Sequence, residues 1–210
     1  MRRLLGSLLL FAGGIGIGVW GSSVVRQSLD QKHDEKIFES EQAADRAQTA
    51  PLTKSAVPAH PAALPARHSG IVARLSIPRI QLRAMVREGD DDGTLDVALG
   101  HIPGTAFPGQ RGNVGVAGHR DRLFRRLAEV GKGDEIRLET PSATYRYRVD
   151  EMSIVSPKAV SVLAAGRGAE LTLVTCYPFY YIGPAPKRYI VKAHLIAPGA
   201  AGGVLAGSLP

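Results

Sequence analysis

The chain holds a single cysteine, Cys176, in the stretch LTLVTCYPFYYIGPAPKRYIVKA, with Arg188 twelve residues further on. One cysteine cannot close an internal disulfide, which leaves an inert buried thiol, an intermolecular bridge or a nucleophile. The surroundings bear on the choice. Cys176 ends an apolar run and precedes Tyr177-Pro178, which stops a strand. The thiol therefore stands at a strand end facing a loop, where active-site side chains are commonly carried. To attack a carbonyl, a thiol needs a cation that stabilises its thiolate and an acid that protonates the leaving amine. Arg188 opens the next apolar run, and antiparallel pairing across the loop brings it near Cys176. Its permanently charged, planar guanidinium suits either a thiolate or a carbonyl becoming an oxyanion. Taken alone, it would read as a surface arginine on an edge strand; paired with this cysteine, the functional reading is preferred.

Six histidines compete for the acid/base role. His33, His60 and His68 lie in an N-terminal stretch with nothing to hold them in register, and His194 lies near the end of the last strand. His101 in GHIPGT and His119 in AGHRD are the candidates. His119 ends a strand of small residues and starts a loop, the same kind of position as Cys176. His101 sits in a Pro/Gly-rich loop and reads as structural. No carboxylate pair or Cys/His cluster has metal-ligand spacing, so no metal site is expected. Asp90 to Asp92 before Gly93 read as a solvated turn rather than a calcium loop.

Short strands must position these residues. IVARLSIPRI and LRAMVREG read as strands with a break at Pro78, and NVGVAGH as a buried strand. EIRLET and TYRYRVDEMSIV form a hairpin, and ELTLVTC and RYIVKAHL are two further strands. Thr94 to Leu99 reads as one helical turn. Leu123, Phe124, Leu127 and Val130 are spaced for a short amphipathic helix. Seven or eight short strands with so little helix predict a mainly β fold, a closed or nearly closed barrel.

The 210 residues leave room for one domain with extensions. Leu4 to Val25 is a run of 22 residues without a charge, preceded by Arg2 and Arg3. As a helix it spans about 33 Å, enough to cross a bilayer. The reading is an uncleaved single-pass anchor over residues 1–25, N-terminus cytoplasmic, with the body of the protein outside the cell membrane. Small residues at Gly21 to Ser23 keep a cleaved signal peptide as the alternative. Residues 26–70 form a tether, with a polar segment readable as a solvated helix and then a Pro/Ala-rich spacer. Residues 71–197 are the catalytic domain and 198–210 a flexible Gly/Ala tail.

The net charge is +7, and residues 71–197 carry eighteen Lys/Arg against thirteen Asp/Glu. The densest cluster is Arg120, Arg122, Arg125 and Arg126, with no zinc spacing, RNP-like sequence or recognition-helix pattern beside it. Nucleic acid is therefore not an expected partner; a surface beside a wall or membrane is.

TLVTC followed by Arg188, with NVGVAGHRD upstream, resembles the sortases, membrane-anchored cysteine transpeptidases. The fuller pattern, GHIPGTAFPGQRGN, AGHRDRLFRRL and TLVTCYPFYYIGPAPKRYIVKA, is similar to the class D branch and covers roughly residues 71 to 195. The resemblance implies an eight-stranded barrel, with Cys176 as nucleophile, His119 as acid/base and Arg188 as the arginine of the site. It implies secreted proteins with a C-terminal Leu-Pro-x-Thr-Gly-like sorting signal as substrates, cleaved through a thioester. The acceptor is then an amine, a cell-wall peptide or a pilin lysine, and no cofactor takes part. Two other readings stand beside it. Another extracytoplasmic cysteine enzyme, such as an L,D-transpeptidase, places its cysteine after a Ser-His-Gly-type motif that LVTC lacks. A non-catalytic barrel that only binds peptides is the other.

Overall fold

The computed structural model describes residues 25–47, 70–166, 168–181 and 183–200. The expected membrane span, Leu4 to Val25, lies outside them except for its last residue. No helix among the described residues is long and apolar enough to cross a membrane. The first helix, α1, runs over residues 25–47. After it come β1 (Ile71–Ile77), β2 (Leu82–Glu88), α2 (Asp92–Val97), β3 (Leu99–His101) and β4 (Gly112–Gly118). A hairpin of β5 (Glu135–Glu139) and β6 (Ala143–Val155) precedes β7 (Ala169–Tyr177) and β8 (Lys187–Ala200).

The strands close into a barrel in the order β1-β2-β3-β4-β7-β8-β6-β5, and β5 pairs back onto β1. Full closure removes sheet edges, which suits a chain of short strands. Inward positions alternate along β5 and β6, as Ile136 and Leu138 do on β5, and Tyr147 and Val149 on β6. Burial pushes the Tyr147 phenol well above its ordinary range. β4 is different, because six of its seven residues are buried. Its small residues admit close neighbours. A Cβ on Gly118 would stand 2.6 Å from Phe124 and 2.7 Å from Leu99, so only glycine fits beneath those side chains.

Three local expectations need correction. Residues 122–130 form i→i+3 turns ending in a 3-10 segment, Leu127–Glu129, rather than an α-helix. Phe124, Leu127 and Val130 are nevertheless buried. Their spacing of three matches the three residues per turn of a 3-10 helix better than the 3.6 of an α-helix. The helical turn near Thr94 starts two residues earlier, because the Asp91 carboxylate accepts from the Thr94 N–H and caps it. The last strand continues to Ala200, three residues into the expected tail, because β6 supplies partners as far as Ala143.

The segment read as a solvated helix is α1, and it is docked. Phe38 is fully buried against Ile71 and Met85, with the Arg74 guanidinium 5.0 Å from its ring centre. Asp34 accepts two hydrogen bonds from Arg87 at 2.6 and 2.7 Å, and holds that guanidinium pKa above its ordinary value. Glu35 pairs with Arg83 at 2.7 Å. Gln31 accepts from the Met85 N–H at 2.8 Å and donates to the Val97 carbonyl at 2.7 Å, joining β2 to the end of α2.

Candidate active site

β4 and β7 run parallel, with Gly118 opposite Thr175. The Thr175 hydroxyl donates to the Gly118 carbonyl at 2.7 Å, a buried bond that fixes the relative height of the two strands. His119 and Cys176, one residue further along each chain, therefore leave the barrel at the same end and side by side. β7 then pairs antiparallel with β8, and Cys176 is the direct partner of Arg188. All three side chains line one groove of about 350 Å3. The expected trio is brought together.

Cys176 is half-buried, so the thiol is sheltered yet reachable. Arg188 donates through one nitrogen to the carbonyls of Lys187 (3.1 Å) and Ala185 (3.4 Å). Its remaining guanidinium nitrogens have no hydrogen-bond partner among the described residues, which leaves donors for a bound carbonyl. His119 Nε2 lies 3.8 Å from Asp96 Oδ1, too long for a hydrogen bond and short enough for attraction to an imidazolium. Arg122 shares that carboxylate at 3.2 Å and donates to the Asp96 carbonyl at 2.8 Å.

One wall of the groove is the 3-10 turn Val160–Leu163, between β6 and β7. Asn113, 2% exposed on β4, holds it there. The Asn113 amide donates to the carbonyls of Val162 (3.2 Å) and Ala164 (3.4 Å), and its oxygen accepts from Thr172 at 2.9 Å. Leu95 and Ile102 add to the apolar lining, and Asp90 and Asp92 line the groove as well.

Of the other histidines, His33 lies on the docked helix α1 and not in an unheld stretch, and His60 and His68 lie outside the described residues. His101 is buried, with Nδ1 at 2.8 Å from Glu88 and Nε2 at 3.0 Å from the Ala106 carbonyl, and it stacks on Phe107. It braces the loop between β3 and β4. His194 pairs with Asp150 at 2.7 Å on the exposed surface. No group of three or more His, Cys, Asp or Glu among the described residues could hold a metal.

Sequence reasoning missed Asp96 and Asn113. The arginine cluster it singled out is largely used inside the fold: Arg120 on the loop after β7, Arg122 on Asp96, and Arg126 on the Ile80 carbonyl and Glu129. Adjacency in sequence flags such a cluster, but the carbonyls it meets come from other segments and leave no trace in the pattern.

The Sortase domain profile matches residues 75–196. The chain is 30% identical over 194 residues to Sortase D of Bacillus subtilis (strain 168), covering 91% of this chain and 97% of that protein. Its fold is similar to that of a Clostridium perfringens Sortase D5 transpeptidase, with a TM-score of 0.63 and 25% identity over 80% of this chain and 99% of that one. Sortase E1 from Streptomyces coelicolor, solved with a tripeptide in the active site, matches with a TM-score of 0.58 and 29% identity over 62% and 90% of the two chains. The chain belongs to the sortase family, as a class D-like cysteine transpeptidase.

Proposed function

We propose that this transpeptidase cleaves a Leu-Pro-x-Thr-Gly-like sorting signal at the C-terminus of secreted proteins and transfers them to an amine. The observation that carries this reading is the register: Cys176 opposite Arg188, with His119 leaving the adjacent parallel strand at the same height. The Cys176 thiolate attacks the Thr carbonyl carbon, and the Arg188 guanidinium holds the oxygen as it gains charge. The His119 imidazolium gives its proton to the leaving Gly nitrogen as the C–N bond breaks. A thioester and a neutral imidazole remain. An incoming amine, from a cell-wall peptide or a pilin lysine, attacks the thioester and loses a proton to His119. Amide formation then releases the thiolate. The apolar walls at Leu95, Ile102 and Val160 suit the Leu-Pro part of the signal. The uncharged run from Leu4 to Val25 supports a single-pass anchor with the barrel outside the cell membrane.

The test is mass spectrometry of the protein incubated with sorting-signal peptides and no amine acceptor. A thioester adduct at Cys176 is expected in the unmodified chain, none in Cys176→Ala, and little or none in His119→Ala. A thiol that alkylates readily yet gives no adduct with any peptide of the panel would favour the peptide-binding barrel instead.

A further inference from the structure

Arg120 directly follows His119, and its side chain turns away from the groove towards the loop joining β7 to β8. One guanidinium nitrogen donates to the Pro178 carbonyl at 3.0 Å. The other donates to the carbonyls of Tyr181 (2.8 Å) and Gly183 (2.9 Å), and the group lies 5.7 Å from the Tyr181 ring centre. Three carbonyls of one short loop thus converge on a single side chain. The loop has few means of holding itself. Pro178, Pro184 and Pro186 have no N–H to donate, and Tyr180, Tyr181, Gly183 and Pro184 are exposed. Phe179 packs on the core, and Arg188 meets the Ala185 carbonyl at the far end, which leaves the middle of the loop to Arg120.

That loop lies between Tyr177 and Lys187, the neighbours of Cys176 and Arg188, so its shape sets the direction in which β7 ends and β8 begins. His119 follows the end of β4, whereas Cys176 near the end of β7 and Arg188 near the start of β8 flank the loop between those strands. Arg120 ties the chain after β4 to that loop. We propose that Arg120 is a positioning residue, holding the β7–β8 loop in register with His119 so that the imidazole meets the Cys176 thiol and the leaving nitrogen together. This rests on the roles given to Cys176 and His119 above. A planar fork can serve three carbonyls spread around it, whereas a lysine ammonium on a flexible stem cannot hold the same arrangement.

The whole chain carrying Arg120→Ala, Arg120→Lys, Cys176→Ala or His119→Ala is compared with the unmodified protein. Four measurements are made: the single-turnover rate of thioester formation with signal peptide, its peptide concentration dependence, alkylation of Cys176 by iodoacetamide, and the melting temperature. In Arg120→Ala, misplacement by a fraction of an ångström should slow thioester formation about ten- to a hundredfold at saturating peptide. Alkylation, which needs no partner geometry, should stay close to the unmodified rate. Arg120→Lys should fall between the two. Millimolar ethylguanidinium should restore part of the rate of Arg120→Ala, and sodium chloride at equal ionic strength should not. Full-rate acylation in a folded Arg120→Ala overturns the proposal. So does a loss that merely follows the unfolded fraction and that neither Arg120→Lys nor added guanidinium recovers. If Cys176→Ala or His119→Ala still acylates, the reading of the site itself fails; if both are silent while Arg120→Ala reacts normally, only the role of Arg120 fails.

Discussion

Arg188 spends one nitrogen on its own loop and keeps the others free beside Cys176. A lysine there retains the charge and loses the fork. Arg188→Lys should therefore lower kcat/KM about a hundred- to a thousandfold, the equivalent of about 2.7–4 kcal/mol. The loss should appear mainly in kcat, because the interaction strengthens as the oxyanion forms; an effect confined to KM would make Arg188 a binding group only. Cys176, His119 and Arg188 were legible from the sequence because each sits where an apolar run meets a loop, a boundary that composition marks. Asp96 and Asn113 were not. Asp96 closes a six-residue helix far from His119 in sequence, and Asn113 looks like any polar residue opening a strand. Its value lies in carbonyls 49 and 51 residues away.

At the scale of elements, the longer strands declared themselves through apolar alternation and Gly/Pro breaks, whereas the three-residue β3 was read as turn and loop, and α1 did not declare its docking. Its contact face mixes Phe38 with Gln31, Asp34 and Glu35, so it reads as polar until Arg74, Arg83 and Arg87 are placed opposite. The domain boundary expected near residue 71 therefore cuts through a packed interface. Phe38→Ala should cost about 3 kcal/mol, at the low end for a buried phenylalanine because the site lies at the barrel surface. Chemical denaturation should report it as a lower midpoint at unchanged slope. A chain beginning at residue 66 should melt below one beginning at residue 25, with Ile71 and Met85 newly exposed; equal melting temperatures would show that α1 contributes nothing to stability.

Across the whole molecule, closure of the barrel was readable from strand number, while the charges that brace it were not. Arg146 hydrogen-bonds Glu135 across the hairpin, Arg137 adds a second contact at 2.5 Å, and the Glu135 pKa lies below the ordinary carboxylate value. A lowered carboxylate pKa contributes stability that is present above the unfolded value, about 4.3, and is lost as pH falls through the folded one. The melting temperature should accordingly decline on the acid side of about pH 4.3, and Arg146→Gln should flatten that decline. A slope unchanged in Arg146→Gln would assign it to other carboxylates. The order of the strands along the chain carries a further consequence. Thr175 and Gly118, whose bond sets His119 and Cys176 level, are 57 residues apart, and Arg188 belongs to the last strand. Such distant pairings form slowly, because much chain must be closed into a loop before any contact rewards it. A newly made chain therefore carries its cysteine without a neighbouring base or guanidinium until β7 lies between β4 and β8. The pairings that complete the wall are also the ones that assemble the proposed trio, so on that reading an unfinished barrel has no means of capturing a peptide.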